Sequence, residues 1–268
     1  MERKDFMKQI YKGLLPFITV LFYSFSAYAD CAGNGLSIFP SGSTIKQNSI
    51  FVLEGYAYSQ KVILGLNKEY PVYLKSRNQK IKLIVTELNV GQFRLTQAVL
   101  KPETELEAGL EYRMYIDHLP EYESFNKYNT TTDEYEPVMY KVTADRDTEK
   151  PQLATNPIEI DKSLVYYGCG PSIHVVFSNP AKDNSDIIVQ TTVKDLKTGK
   201  ETTYYIRPDG DKIKVGHGMC SGAFDFDDDS QDFEVEFSFM DASGNLTPWT
   251  GERIQFTKPK VQTKYDEE

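Results

Sequence analysis

Phe233-Glu234-Val235-Glu236-Phe237-Ser238-Phe239 puts an apolar side chain at every odd position and a polar one at every even position. A period of two sends successive side chains to opposite faces, which is the signature of a strand with one face buried and one wet. The same alternation recurs for much of Lys80-Ile81-Lys82-Leu83-Ile84-Val85, Phe93-Arg94-Leu95-Thr96 and Tyr112-Arg113-Met114-Tyr115-Ile116. Turn signals separate such runs: Leu88-Asn89-Val90-Gly91, Lys197-Thr198-Gly199, Pro208-Asp209-Gly210 and Ser243-Gly244-Asn245. No segment beyond residue 29 sustains an apolar stripe at helical spacing. The pattern therefore predicts an all-β fold of antiparallel sheets.

The first 29 residues read differently. Arg3, Lys4, Lys8 and Lys12 form a basic start, residues 13–25 are uncharged and mostly apolar, and Ala27-Tyr28-Ala29 supplies small residues for cleavage. This predicts a signal peptide over 1–29 and a mature chain that begins at Asp30. The apolar run falls short of the ~20 residues a spanning helix needs. Cys31 raises lipidation, but Asp30 stands where a lipobox wants a small residue, which argues against it. The chain has 30 basic and 39 acidic residues, and removing 1–29 leaves 26 against 37. An acidic balance of that size disfavours nucleic acid as a partner, and no later run predicts a membrane span in the mature chain. The mature length suits two domains. Residues 144–151, charged and closed by Pro151, predict an extended connection between a sandwich over 30–146 and a second over 147–258, with a polar tail over 259–268.

Short motifs carry a resemblance. Phe39-Pro40-x-Gly42 followed by Asn48-Ser49 resembles the opening of bacterial S-layer-type Ig-like domains. Leu106-x-x-Gly109-Leu110-x-Tyr112 is similar to the tyrosine-corner segment of fibronectin type III-like sandwiches. Asp147-Thr148-x-x-Pro151 and Asp241-x-Ser243-Gly244-Asn245 resemble the linker and a late hairpin of bacterial extracellular Ig-like repeats. The resemblance implies two tandem Greek-key immunoglobulin-like sandwiches, with the Tyr112 hydroxyl bonded to backbone upstream. It implies architecture rather than activity, because such sandwiches host many functions.

Four groups of residues are candidates for chemistry. Cys169 and Cys220 fall in the same expected domain, so a disulfide between them is predicted, with Cys31 left over. Asp225, Asp227 and Asp229 alternate, and Glu236 falls where a calcium loop has its twelfth ligand. Ser230 replaces the glycine that such a loop needs, and a strand follows rather than a helix. A looser calcium site and a plain solvated acidic loop are both left open. His217, Met219 and Cys220 could form a soft copper site, unless Cys220 is oxidised. Residues 118–137 form a long segment without strand periodicity, carrying Tyr122, Phe125, Tyr128 and Tyr135 among acids. Such a loop is either a binding surface or a flap over a sheet edge.

No His-Glu-x-x-His, Gly-x-Ser-x-Gly or phosphate-binding glycine loop is present. The reading is a non-catalytic protein of the periplasm, cell surface or medium, presenting loops to a protein or glycan, with no cofactor unless calcium. A polysaccharide-binding accessory module is the alternative, and a small hydrolase ranks behind it.

Overall fold

The computed structural model describes residues 31–260 except 78, 130, 227 and 228. The expected leader and its cleavage site, Asp227, and most of the expected tail lie outside the described residues.

Strands and tight turns dominate, as the alternation requires. The first set comprises β1 (Asn34–Phe39), β2 (Thr44–Ile45), β3 (Phe51–Ala57), a one-turn helix α1 (Gln60–Leu64), β4 (Val72–Lys75), β5 (Lys80–Val90), β6 (Leu95–Pro102), β7 (Glu111–Ile116), β8 (Asn126–Asn129), β9 (Glu134–Pro137) and β10 (Met139–Val142). Eight of these strands pair in the order β1-β3-β6-β5-β4-β7-β10-β2, and β8 and β9 form a separate hairpin. The sheet folds over on itself through β5. Residues Lys80 to Lys82 pair with β4, and the strand then runs along β6 to Val90. A bulge between Val85 and Glu87 marks the change. Phe51, Leu53, Leu74, Leu83, Leu100, Tyr112 and Tyr140 fill the space between the two layers. The Tyr112 hydroxyl accepts the Glu107 N–H at 3.2 Å and donates to Gln79 Oε1 at 2.8 Å. That is the upstream backbone contact expected of a tyrosine corner.

The second set comprises β11 (Gln152–Leu153), β12 (Glu159–Tyr167), β13 (Gly170–Ser178), β14 (Ala181–Lys182), β15 (Ile187–Asp195), β16 (Glu201–Ile206), β17 (Lys212–His217), β18 (Asp232–Asp241), β19 (Leu246–Thr247) and β20 (Ile254–Thr257). A sheet ordered β12-β13-β17 faces one ordered β16-β15-β18, with β19 and β20 also on β18. Val235, Phe237, Phe239 and Phe233, the odd positions of β18, lie fully inside. They meet Phe177, Phe224, Phe226 and Phe256 in an aromatic core whose rings pack mostly edge to face.

An extended tether between the two sandwiches was the expectation, but the chain packs them against each other. Phe39, Ile50, Val52 and Val99 from the first bury against Ile188, Tyr205, Met240 and Ala242 from the second. Strand β16 is an edge of its sheet, so the outward N–H and C=O of Tyr205 need partners. The Gln97 side chain supplies both, at 2.8 Å each. The Tyr205 hydroxyl donates to Glu87 Oε2 at 2.7 Å. Phe93 and Gly222 exchange backbone bonds, N to O, at 3.1 and 2.7 Å. The connection itself is held from both sides. Asn48 bonds the backbone of Asp147 through both its amide atoms, Asn245 Nδ2 donates to Asp147 O at 3.1 Å, and Thr247 Oγ1 donates to Pro151 O at 2.6 Å. Residues 144–151 look polar and open in sequence because their partners lie about 100 positions away on each side.

Candidate functional site

The described residues of segment 118–137 form an excursion with two parts. Its base is tied down. Leu119 and Phe125 pack on the first core, Asn34 Nδ2 donates to Tyr122 O at 2.8 Å, and Ser59 Oγ donates to Glu123. Its tip is the β8–β9 hairpin, in which Tyr128 and Tyr135 sit directly opposite with ring centroids 5.3 Å apart. Adjacent cross-strand aromatics hold a hairpin that has little core of its own. Both rings stay in solvent, Tyr135 at 73% and Tyr128 at 45% of full exposure. Tyr122 is exposed as well, and Phe125 is not. The four aromatics therefore divide between packing and surface, which their sequence spacing did not separate.

The polar side chains of the hairpin are partnered too. The Tyr128 hydroxyl donates to Asp133, whose carboxylate raises the phenol above its ordinary pKa. Asn129 Nδ2 and Thr132 Oγ1 donate to Glu136 Oε1 at 3.0 and 2.9 Å and hold that acid below the usual carboxylate range. Beside the hairpin runs an open groove of about 460 Å³, lined by Ser41, Lys127, Tyr128, Asn129, Glu136 and Met139. Burial lowers the Lys127 ammonium from its ordinary value, and Asp186 opposes the shift. Exposed ring faces stand next to hydroxyl, amide, carboxylate and ammonium groups.

The predicted Cys169–Cys220 disulfide is not the bond formed: Cys220 is joined to Cys31. The reason is the packing of the sandwiches. Tyr58 N bonds Gly33 O, Ala57 N bonds Arg94 O, and Phe93 pairs with Gly222, which carries the loop after β17 to the start of β1. Cys169 is nevertheless close, in the two-residue turn between β12 and β13, and the three sulfurs lie within 4.8 Å of one another. Same-domain reasoning found two members of this cluster and missed the third.

His217 is buried with both ring nitrogens engaged, Nδ1 2.8 Å from Gly218 O and Nε2 3.1 Å from Asp225 Oδ1, and its ring lies on Phe93. It is a packing residue rather than a partner for Met219 and Cys220 in a copper site. Of the acids proposed for calcium, Asp225 faces His217, Asp229 Oδ2 lies 3.7 Å from Lys197, and Glu236 accepts Arg253 Nε at 2.9 Å on β18. The meaning of that stretch is in its aromatic members: Phe224 and Phe226 plug the second core, and Asp225 between them meets His217. A different acidic trio, Asp147, Asp183 and Asp241, brings carboxylates within 4.8 Å. Burial raises the Asp241 carboxyl above its ordinary pKa, against bonds from Ser243 N and Asn245. Two motifs quoted for the Ig-like resemblance, those at Asp147 and Asp241, meet here. Their separation in sequence hid the contact.

His174 lies on β13 with its pKa lowered to about 4 by burial, then by His217 and Lys214. His118 Nδ1 lies 3.2 Å from Glu69 O.

No protein-family model and no curated protein matches the chain. Among solved structures, similarity is found to a type I pullulanase from Bacillus subtilis complexed with maltose, at 11% identity over 85% of this chain and 24% of that one, with a TM-score of 0.25. An Anoxybacillus pullulanase complexed with maltotriose matches at 11% identity over 74% and 23%, with a TM-score of 0.24. The S-layer protein rSbsC matches at 14% identity over 79% and 33%, with a TM-score of 0.25. The chain spans about a quarter of the pullulanases and a third of the S-layer protein. Likenesses this distant assign neither a family nor an activity, and what stands is an all-β, disulfide-bearing chain of packed sandwiches.

Proposed function

We propose that this is a non-catalytic extracytoplasmic binding protein and that the β8–β9 hairpin, with the groove beside it, is its recognition element for a glycan chain. One observation carries the reading: two solvent-exposed tyrosines stand on a hairpin anchored at its base, beside a groove of polar side chains. Flat rings offer large contact area at low entropy cost and suit the apolar faces of sugar rings. Asn129, Glu136 and Ser41 can exchange hydrogen bonds with hydroxyls along the same path. Among the described residues, β8 and β9 pair only with each other. The disulfide favours an oxidising compartment.

The test is Tyr128→Ala/Tyr135→Ala, assayed by glycan array and by electrophoresis in polysaccharide gels. The double variant should melt within a few degrees of the parent and bind at least about tenfold more weakly, as loss of a hot-spot pair does. A strongly destabilised variant, or unchanged binding, would overturn the reading. A protein ligand lost in the same variant, with no glycan bound by the parent, would keep the hairpin and change the ligand class.

A further inference from the structure

Cys31, Cys169 and Cys220 are the whole cysteine complement of the chain, and they arrive at one place from three directions. Cys31 leads into β1 of the first sandwich. Cys169 sits in the β12–β13 turn, between the paired residues Tyr167 and Gly170. Cys220 lies in the loop after β17. Each is partly exposed, so the cluster is open to reagents and to water. Two of the sulfurs are bonded, Cys31 to Cys220, and Cys169 stands outside the bond with its sulfur within 4.8 Å of both.

We propose that the cluster is an internal thiol–disulfide exchange site with two covalent states. The Cys169 thiol loses its proton, and the thiolate attacks Sγ of Cys220. A Cys169–Cys220 bond forms, the Cys31–Cys220 bond breaks, and the electron pair leaves on Cys31, which takes up a proton. One disulfide and one thiol are present before and after, so the step needs no external oxidant or reductant. Exchange through thiolate attack on a neighbouring disulfide is the ordinary route by which such bonds move.

Attack falls on Cys220 because the Cys169 turn and the Cys220 loop already lie together. They extend from the paired strands β13 and β17, and a Cβ placed on Gly170 would come within 3.6 Å of Met219 O. A Cys169–Cys220 bond is therefore confined to the second sandwich, whereas the Cys31–Cys220 bond ties the entry to β1 onto it. Exchange switches the cross-link between the sandwiches on and off and moves the reactive thiol from the hairpin turn to the segment before β1.

The experiment uses the full exported protein without added thiol. It is held at mildly alkaline pH, quenched in acid, alkylated with iodoacetamide under denaturing conditions and mapped without reduction. Alkylated Cys31 should appear together with a Cys169–Cys220 linked peptide, in a ratio that does not change on tenfold dilution. In Cys31→Ser, where the disulfide-forming oxidant of the exporting compartment takes up the two electrons, thiol titration should fall from about one per chain to near zero as the alternative bond forms. Alkylation confined to Cys169, a ratio that depends on dilution, a Cys31–Cys169 peptide in place of Cys169–Cys220, or two thiols per chain in Cys31→Ser would each overturn the proposal.

Discussion

Replacing Gln97 with leucine should cost far more than one surface-strand substitution, because this side chain serves as a piece of backbone. Its amide caps the Tyr205 N–H and C=O of edge strand β16, and both contacts are buried at 2.8 Å. Leucine keeps most of the volume but offers neither donor nor acceptor. Two buried backbone groups would lose their partners, at about 1–3 kcal/mol each, for a total of about 2–6 kcal/mol. Glu54, which also accepts from Gln97, retains Arg207 at 3.3 Å and adds little to the loss. Trp249 is the sole tryptophan and packs on Phe237 in the second core, so its fluorescence follows that sandwich. Far-ultraviolet circular dichroism follows both. In the parent the two signals should fall together along a urea gradient. In Gln97→Leu the midpoint should drop and the two curves should separate, because the residue bridges the units instead of supporting either core. A loss under about 1 kcal/mol, or coincident curves at the parental midpoint, would refute the view that Gln97 completes the edge of β16.

His174→Gln should flatten the pH dependence of stability between about 6.5 and 4: the folded pKa lies below the unfolded one, so unfolded chains bind the proton first and stability is lost on acidification across that window. Urea midpoints at a series of pH values would show it, and an unchanged slope would contradict the assignment. Asp145, brought down to about 2 chiefly by the hydrogen bond from Lys46, contributes stability that is present above the ordinary aspartate range and lost as pH falls towards 2. Lys46→Met should flatten that acid limb by lowering stability at neutral pH while leaving it nearly unchanged near pH 2, as calorimetry can check. Gly222→Ala should destabilise by about 1–3 kcal/mol, because the new Cβ would meet His217 Cβ at 2.3 Å and its Cα at 2.6 Å. A thermally silent variant would mean that the Phe93–Gly222 bridge is not in place.

The strands were legible because alternation reports burial directly: the odd positions of Phe233 to Phe239 are all inside. The tyrosine corner was legible because its contact is local, five residues long. What failed were inferences about partners far away in sequence. Residues 144–151 look like a tether until Asn48 and Asn245 are placed beside them. Cys31 looks like a leftover until Phe93 meets Gly222. The acids at 225–229 drew attention through their charge, but Phe224 and Phe226 determine where that loop goes. In segment 118–137 the aromatic content was visible, whereas its division between the anchoring Phe125 and the exposed Tyr128 and Tyr135 depends on a hairpin with no alternation of apolar and polar residues to announce it.

The bulge in β5 acts as a phase shifter. Val85 stands opposite Leu100, which faces the first core, yet Leu88 stands opposite Ala98, which faces that core as well. Val85 and Leu88 share one face of the pairing across an odd step only because Thr86 is skipped, although Leu88 itself is exposed. The slip delivers Glu87 and Asn89, opposite Val99 and Gln97, to the face that meets the second sandwich, where Glu87 receives the Tyr205 hydroxyl. Deleting Thr86, an exposed residue, would restore unbroken alternation and turn the strand's last four side chains over. Leucine and valine would then face the second sandwich, and Glu87 would no longer meet the Tyr205 hydroxyl. At this position the chain can accept many changes of side chain and no change of length.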